Sequence, residues 1–352
     1  MNHNNYRLAY ACLVTFIFSV TNLHGRSVHR PKDPRTPEIC VRHLGQTQKY
    51  FLASFHLEKY PLFETFDKEF LLEQTLPARP IPFRHGNGSV RSTVLEEKIE
   101  GLLQEVRKHK KHYTDFKVLV DHNFNHKQQC GLLIVKFKDY PFVLKLFMET
   151  PQTFVEPFQK GFEPTFFFYM GGGVNRHLSG FTRIKNLHVI NERLAQSAYW
   201  SERVVTPRKW FWMPKKPEWL EISGKNIGPE KTIITHIPAV YGIIADAIDC
   251  GEKFSIHNKE HTQLSLNLCN YLDLWIDPHI PNFMFEKNTG KIAVVDTEHF
   301  PTVVGLKETP QFQSYTDWYM YLINKCGQNM IFCTKQDLLA LQETPSKTIQ
   351  LY

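Results

Sequence analysis

Three polar side chains, Asp277, Asn282 and Asp296, flank a stretch that reads as a β-hairpin, DPHIPNFMFEKNTGKIAVVDTEHF over 277–300. The runs Asn282-Phe283-Met284-Phe285 and Ile292-Ala293-Val294-Val295 are strand-like, and Asn288-Thr289-Gly290-Lys291 supplies the turn between them. Such a hairpin gathers at one end the acid and amide before its first strand and the acid after its second. That grouping suits phosphoryl transfer. One carboxylate positions or deprotonates an attacking hydroxyl, while an amide and a second carboxylate are hard oxygen ligands for Mg²⁺ on nucleotide phosphates.

The elements around the hairpin would have to hold it. Asn258 is a candidate cap for a helix whose Leu264, Leu268, Tyr271, Leu272 and Trp275 make one apolar stripe, and this helix runs directly into Asp277. Further upstream, 116–120, 131–137 and 142–147 read as an antiparallel meander. On the third strand a period of two puts Phe142, Leu144 and Leu146 on one face and Val143, Lys145 and Phe147 on the other. A Lys inside such a strand is costly to bury unless an anion meets it. Arg183 to Trp200 has helical spacing in Leu187, Ile190, Leu194 and Ala198, with Glu192 beside them. Leu220-Glu221-Ile222 is a short strand candidate, and 233–248 holds two apolar stretches.

Asp277-Pro278-His279-Ile280-Pro281-Asn282 and Val294-Val295-Asp296-Thr297-Glu298 give D-x-H-x-x-N followed by hydrophobic-hydrophobic-D-x-E. This pattern resembles the protein-kinase-like superfamily, in particular its aminoglycoside and choline phosphotransferase branch. The resemblance covers about 116–300. It implies an α+β, two-lobed protein-kinase-like fold with an antiparallel N-lobe sheet, a mainly helical C-lobe, and ATP with Mg²⁺ in the cleft. The implied roles are Asp277 for the acceptor hydroxyl, His279 bracing the loop, and Asn282, Asp296 and Glu298 for the metal. Lys145 would reach the nucleotide phosphates with Val143 toward the base. Glu192 would pair with Lys145, and Glu149, Glu156 and Glu163 are its rivals. The implied activity is transfer of the γ-phosphate of ATP to a hydroxyl acceptor, either a small molecule or a protein. The competing reading is a pseudokinase, a binding or scaffold module that kept the fold. It is favoured by the loop 121–130 (DHNFNHKQQC), which lacks the glycines of a phosphate-covering loop. Gly171-Gly172-Gly173 fits no nucleotide-binding pattern and reads as a turn.

The rest of the chain divides as follows. Residues 1–25 contain an apolar run, Leu8 to Val20, of the length of an export-signal core, with an uncleaved N-terminal anchor as the alternative. No later run is long and apolar enough to span a bilayer, so a secreted or otherwise extracytoplasmic protein is expected. Residues 26–39 are a basic, Pro-rich linker and 40–115 an N-terminal helical accessory segment. Its strongest element is a helix over Thr93 to Lys108, with Thr93 and Glu96 as a capping box and a basic run, 107–112, after it. The kinase-like N-lobe with an insertion occupies 116–250, and a short C-lobe 251–352 has helices near 315–323 and 337–342. The net charge of +7 suits an anionic ligand such as a nucleotide, but Lys and Arg are scattered, so nucleic acid is not required. Six of the seven Cys lie beyond the signal, which permits disulfides, Cys326 with Cys333 being nearest. Buried free thiols are the alternative.

Overall fold

The computed structural model describes residues 38–43, 46–51, 68–150, 153, 177, 179–225, 232–300 and 310–322. The export signal, nearly all of the linker, Glu156, Glu163, the triple-Gly run, Cys326, Cys333 and the helix near 337–342 lie outside the described residues. In chain order the first elements are β1 (Glu38–His43), β2 (Gln46–Phe51), α1 (Lys68–Glu73), β3 (Ile81–Pro82), β4 (Ser89–Val90) and α2 (Ser92–Arg107). Then come β5 (Phe116–Val120), β6 (Phe124–Asn125), β7 (Cys130–Phe137), β8 (Phe142–Met148), α3 (Thr182–Ala195), α4 (Ala198–Arg203), β9 (Val204–Val205) and β10 (Lys209–Trp212). The remainder is β11 (Trp219–Lys225), β12 (Thr232–Pro238), β13 (Val240–Asp246), β14 (Cys250–Lys253), α5 (Lys259–Tyr271), β15 (Phe283–Glu286) and β16 (Ile292–Val294), with residues 315–322 helical.

The expected meander exists and is larger than three strands. β10, β13, β8, β7 and β5 lie side by side in that order, with β6 also paired to β7, and every pairing is antiparallel. On β8, Phe142, Leu144 and Leu146 have no exposure and pack with Leu95, Ile99, Leu102, Leu103 and Val106 of α2. Each such aliphatic side chain contributes about 1.5–3 kcal/mol on burial, so this face fixes the strand's register. Lys145 points to the other face, opposite Ile134 and Ile243.

Within 40–115 the described residues include strands as well as helices. Helix α2 packs Leu95, Ile99, Leu102, Leu103 and Val106 into the core against the sheet, and β1 pairs with the distant β11 in a separate sheet ordered β12-β11-β1-β2. The capping box is also absent. The helix starts one residue earlier, after Arg91, and the buried Ser92 hydroxyl donates to the Pro77 carbonyl, which ties the first turn to the preceding loop.

A second core gathers Leu266, Leu268 and Leu272 of α5, Phe283, Ile292 and Val294 of the hairpin, and Trp200, Phe300 and Trp318. α5 is capped by Asn258, whose side chain accepts from the Glu260 and His261 amides. The hairpin β15–β16 forms as expected, but it belongs to a four-stranded sheet ordered β14-β15-β16-β9, in which β16 and β9 are parallel. This half is therefore as much sheet as helix. Cys40, Cys250 and Cys269 are free thiols. Among the described residues no helix is long and apolar enough to cross a membrane.

Candidate functional site

Strand β8 delivers Lys145 to the end of the hairpin. Its Nζ lies 2.8 Å from Asp296 Oδ2, although the two residues are 151 positions apart. Their side chains keep 17 % and 22 % exposure, so the pair can be reached from outside. A second cation, which the sequence reading did not single out, completes the contact. Arg183, in the first turn of α3 and 1 % exposed, donates from Nε to Asp296 Oδ1 at 2.7 Å and from Nη2 to Asp296 Oδ2 at 3.2 Å and Glu298 Oε2 at 2.5 Å. Ser179 also donates to Glu298.

Thr297, fully buried, makes different contacts from its two acidic neighbours. Its hydroxyl donates to the Arg183 carbonyl at 2.6 Å and accepts from Lys209 Nζ at 2.6 Å. Asn186 Nδ2 then donates to the carbonyls of Thr297, at 3.0 Å, and Trp275, at 2.8 Å, linking the segment to the chain just before Asp277. Arg183, Asn186, Lys209 and Thr297 thus hold the two acids in place. Two signals for them are present in the sequence. Arg183 stands four residues before Leu187, on the buried stripe of α3, and Lys209 opens an aromatic strand, as Lys145 sits in an aliphatic one.

Glu192 is not the partner of Lys145. It is exposed and lines a shallow surface groove with Arg193, Gln196 and Asp273, because it falls midway between the buried Ile190 and Leu194 and so faces outward. Its expected position beside Lys145 is filled by Arg183, which binds the acids. Of the rivals, Glu149 is buried one residue past β8.

Residues 277–282 fold locally. Asp277 Oδ1 accepts from the His279 amide at 3.0 Å, and Asn282 Nδ2 donates to the Asp277 carbonyl at 3.2 Å, closing a short turn. The His279 backbone, rather than its exposed ring, braces the loop. The Val295 amide donates to the Asn282 carbonyl at 3.0 Å, which sets Asn282 beside the strand that leads to Asp296. Val143 is half-buried on the face that carries Lys145.

Charge separates the two acids. Burial would raise the Asp296 carboxyl, but Arg183, Lys145 and Lys209 outweigh it and hold it well below the usual carboxylate range. Among the described residues no cation acts on Asp277. Burial, opposed by the His279 amide and reinforced by Asp296 and Glu298, pushes it up to about 7. Burial lowers Lys145, offset in part by Asp296, and lowers Lys209 well below the usual ammonium value, with Lys145 adding to the shift. Arg183 is raised: the acids it binds outweigh its burial.

The donor set fits Mg²⁺ in kind. Asp296 is held ionised, and Asn282 Oδ1 accepts no hydrogen bond among the described residues. Both are hard oxygen donors of the type Mg²⁺ takes alongside water and phosphate oxygens. No group of three or more His, Cys, Asp or Glu among the described residues could hold a metal, so an ion here would share amide, water and nucleotide oxygens. Comparison of the chain with family models, with curated proteins and with solved structures finds no match.

Proposed function

We propose that the chain is an exported, two-lobed, kinase-like phosphotransferase. It takes ATP into the cleft between the β8 face and the hairpin end and passes the γ-phosphate to a hydroxyl acceptor. The reading is carried by one observation: the 2.8 Å contact of Lys145 with Asp296, which an unrelated fold has no reason to build. Asn282, Asp296 and Glu298 would hold Mg²⁺, which supplies neutralisation of phosphate charge. Lys145 exchanges its carboxylate for a nucleotide phosphate. Asp277, poised near neutrality, accepts or orients the acceptor proton, the condition under which a general base works best. The chain forms no covalent intermediate; it positions groups and balances charge.

A second reading, the pseudokinase, draws on the saturation of Asp296. Each of its oxygens already takes two donors: Arg183 Nε and the Glu298 amide on Oδ1, Lys145 and Arg183 Nη2 on Oδ2. Titrating the full chain with ATP in the presence and absence of Mg²⁺, and then following loss of the γ-phosphate with a panel of hydroxyl acceptors, separates the readings. Mg²⁺-dependent binding with turnover supports the enzyme, and binding without turnover the pseudokinase. No nucleotide binding removes the enzyme and leaves the pseudokinase only as a scaffold.

A further inference from the structure

The run 107–112 does not dissolve into an ordinary helix end. The chain turns back at His109, whose φ is 54°, and the loop 121–130 packs against the same end of α2. Gln129 Nε2 donates to the carbonyls of Val106, at 3.0 Å, and Arg107, at 3.1 Å, while the His109 ring meets the His126 carbonyl at 3.2 Å. Phe124 is buried in the core of α2 and the sheet. The loop is therefore pinned sideways onto the helix end, and segments far apart in sequence form one surface.

That surface is strongly basic. Arg107, Lys108, Lys110, Lys111 and Lys127 are all exposed, and Asp121 is the one acid within 107–112 and 121–130. Among the cations, Lys110 is paired with Glu105. Tyr113, Phe116 and Phe124, beside and within these segments, are buried. Leu119, beside the loop on the edge strand β5, is instead 46 % exposed.

We propose that this face, built from the end of α2 and the loop 121–130, docks on an anionic lipid bilayer. Clustered lysines and arginines are drawn to the negative surface potential of such a membrane, and an exposed aliphatic side chain beside them can enter the interface. The proposal is independent of the phosphotransferase reading, since none of these residues belongs to the site around Asp296. It also gives the glycine-free loop a role of its own.

The test is co-sedimentation of the full chain with vesicles of phosphatidylcholine alone and of phosphatidylcholine with phosphatidylserine. The chain is expected on the anionic vesicles only. A triple variant, Lys108→Glu, Lys111→Glu and Lys127→Glu, should lower the partition at least about tenfold. An equal charge change elsewhere, Lys215→Glu, Lys216→Glu and Lys287→Glu, should leave most of the binding. All six side chains are exposed, so both variants should fold, with circular dichroism as the check. Equal loss in both variants, or no binding to anionic vesicles, overturns the proposal. Capture by short duplex RNA or DNA, with vesicles rejected at the same salt, overturns it in favour of nucleic acid.

Discussion

Arg183 Nε stands 2.7 Å from Asp296 Oδ1, joining the first turn of α3 to the segment that follows β16. With Lys145 on the other oxygen, Asp296 is the point where the sheet, the helix and the hairpin meet. Lys145, Arg183, Asp296 and Glu298 form one charge cluster there, with Lys209 also acting on Asp296, and its members differ in what each loses if a partner is removed.

Replacing Asp296 by Asn removes the charge a metal needs and keeps the shape. The affinity of the wild type for ATP should rise with Mg²⁺, and in Asp296→Asn that rise should shrink by tenfold or more, about 1.4 kcal/mol by calorimetry. An identical Mg²⁺ dependence in both proteins would remove Asp296 from the metal ligands.

Arg183→Met should destabilise the fold by about 3–5 kcal/mol, because it leaves Asp296 and Glu298 half-compensated in a buried place. Glu192→Gln, on the exposed side of the same helix, should stay within about 0.5 kcal/mol. Urea unfolding midpoints measure both. A large loss at Glu192 would restore it as a structural partner.

The Asp277 carboxyl gives a pH dependence of defined sign. If it serves as the base, the turnover should rise with pH through about 7 as the group ionises. Stability runs the other way. Its folded value lies above its unfolded one, so the native state binds the extra proton between 3.8 and about 7, and the contribution of Asp277 to stability falls as pH rises through that window. The slope is at most about 1.4 kcal/mol per pH unit. Asp277→Asn should therefore match the parent near the bottom of the window and exceed it in stability above the top, while losing turnover. Thermal melts of both proteins at several pH values report this, and a stability difference that does not grow in favour of Asp277→Asn across the window contradicts it.

Glu286 lies at the turn end of the hairpin, away from the proposed site, and is fully buried. Arg84 lies 2.9 Å away, His85 3.0 Å and Thr289 2.8 Å. Burial would raise its carboxyl, but Arg84, His85 and Thr289 bring it down to about 2. The stability it adds is present above 4.5 and lost as pH falls toward about 2. Glu286→Ala should cost roughly 3 kcal/mol in a denaturant series and leave the affinity for ATP unchanged. A matching drop in affinity would mean that the turn end and the site move together.

Gly131 has φ +103°, and a Cβ there would stand 2.2 Å from the Asn123 carbonyl oxygen. Gly131→Ala should lower the unfolding midpoint by the equivalent of about 2 kcal/mol or more and loosen the loop 121–130. Because that loop carries Lys127, vesicle binding should weaken with it. Unchanged stability would show that the loop can shift aside at little cost.

The amino-acid order alone determined the local elements. Alternation marked β5, β7 and β8, and the face occupied by Lys145 follows from counting in twos. Asn258 marked the start of α5, and the turn 288–291 marked the hairpin, since a cap or a turn needs only neighbouring residues. The spacing of Asp277, Asn282 and Asp296 was legible for the same reason. Tertiary structure decided whatever depends on contacts between distant segments. β1 finds its partner in β11, α2 joins a core instead of standing apart, and β16 takes the parallel neighbour β9. It also decided that the cation facing Lys145 across Asp296 is Arg183, while Glu192 looks outward. An arginine becomes a buried clamp only where packing removes water from it and two carboxylates from another segment arrive to balance its charge, and neither condition is written in the residues around it.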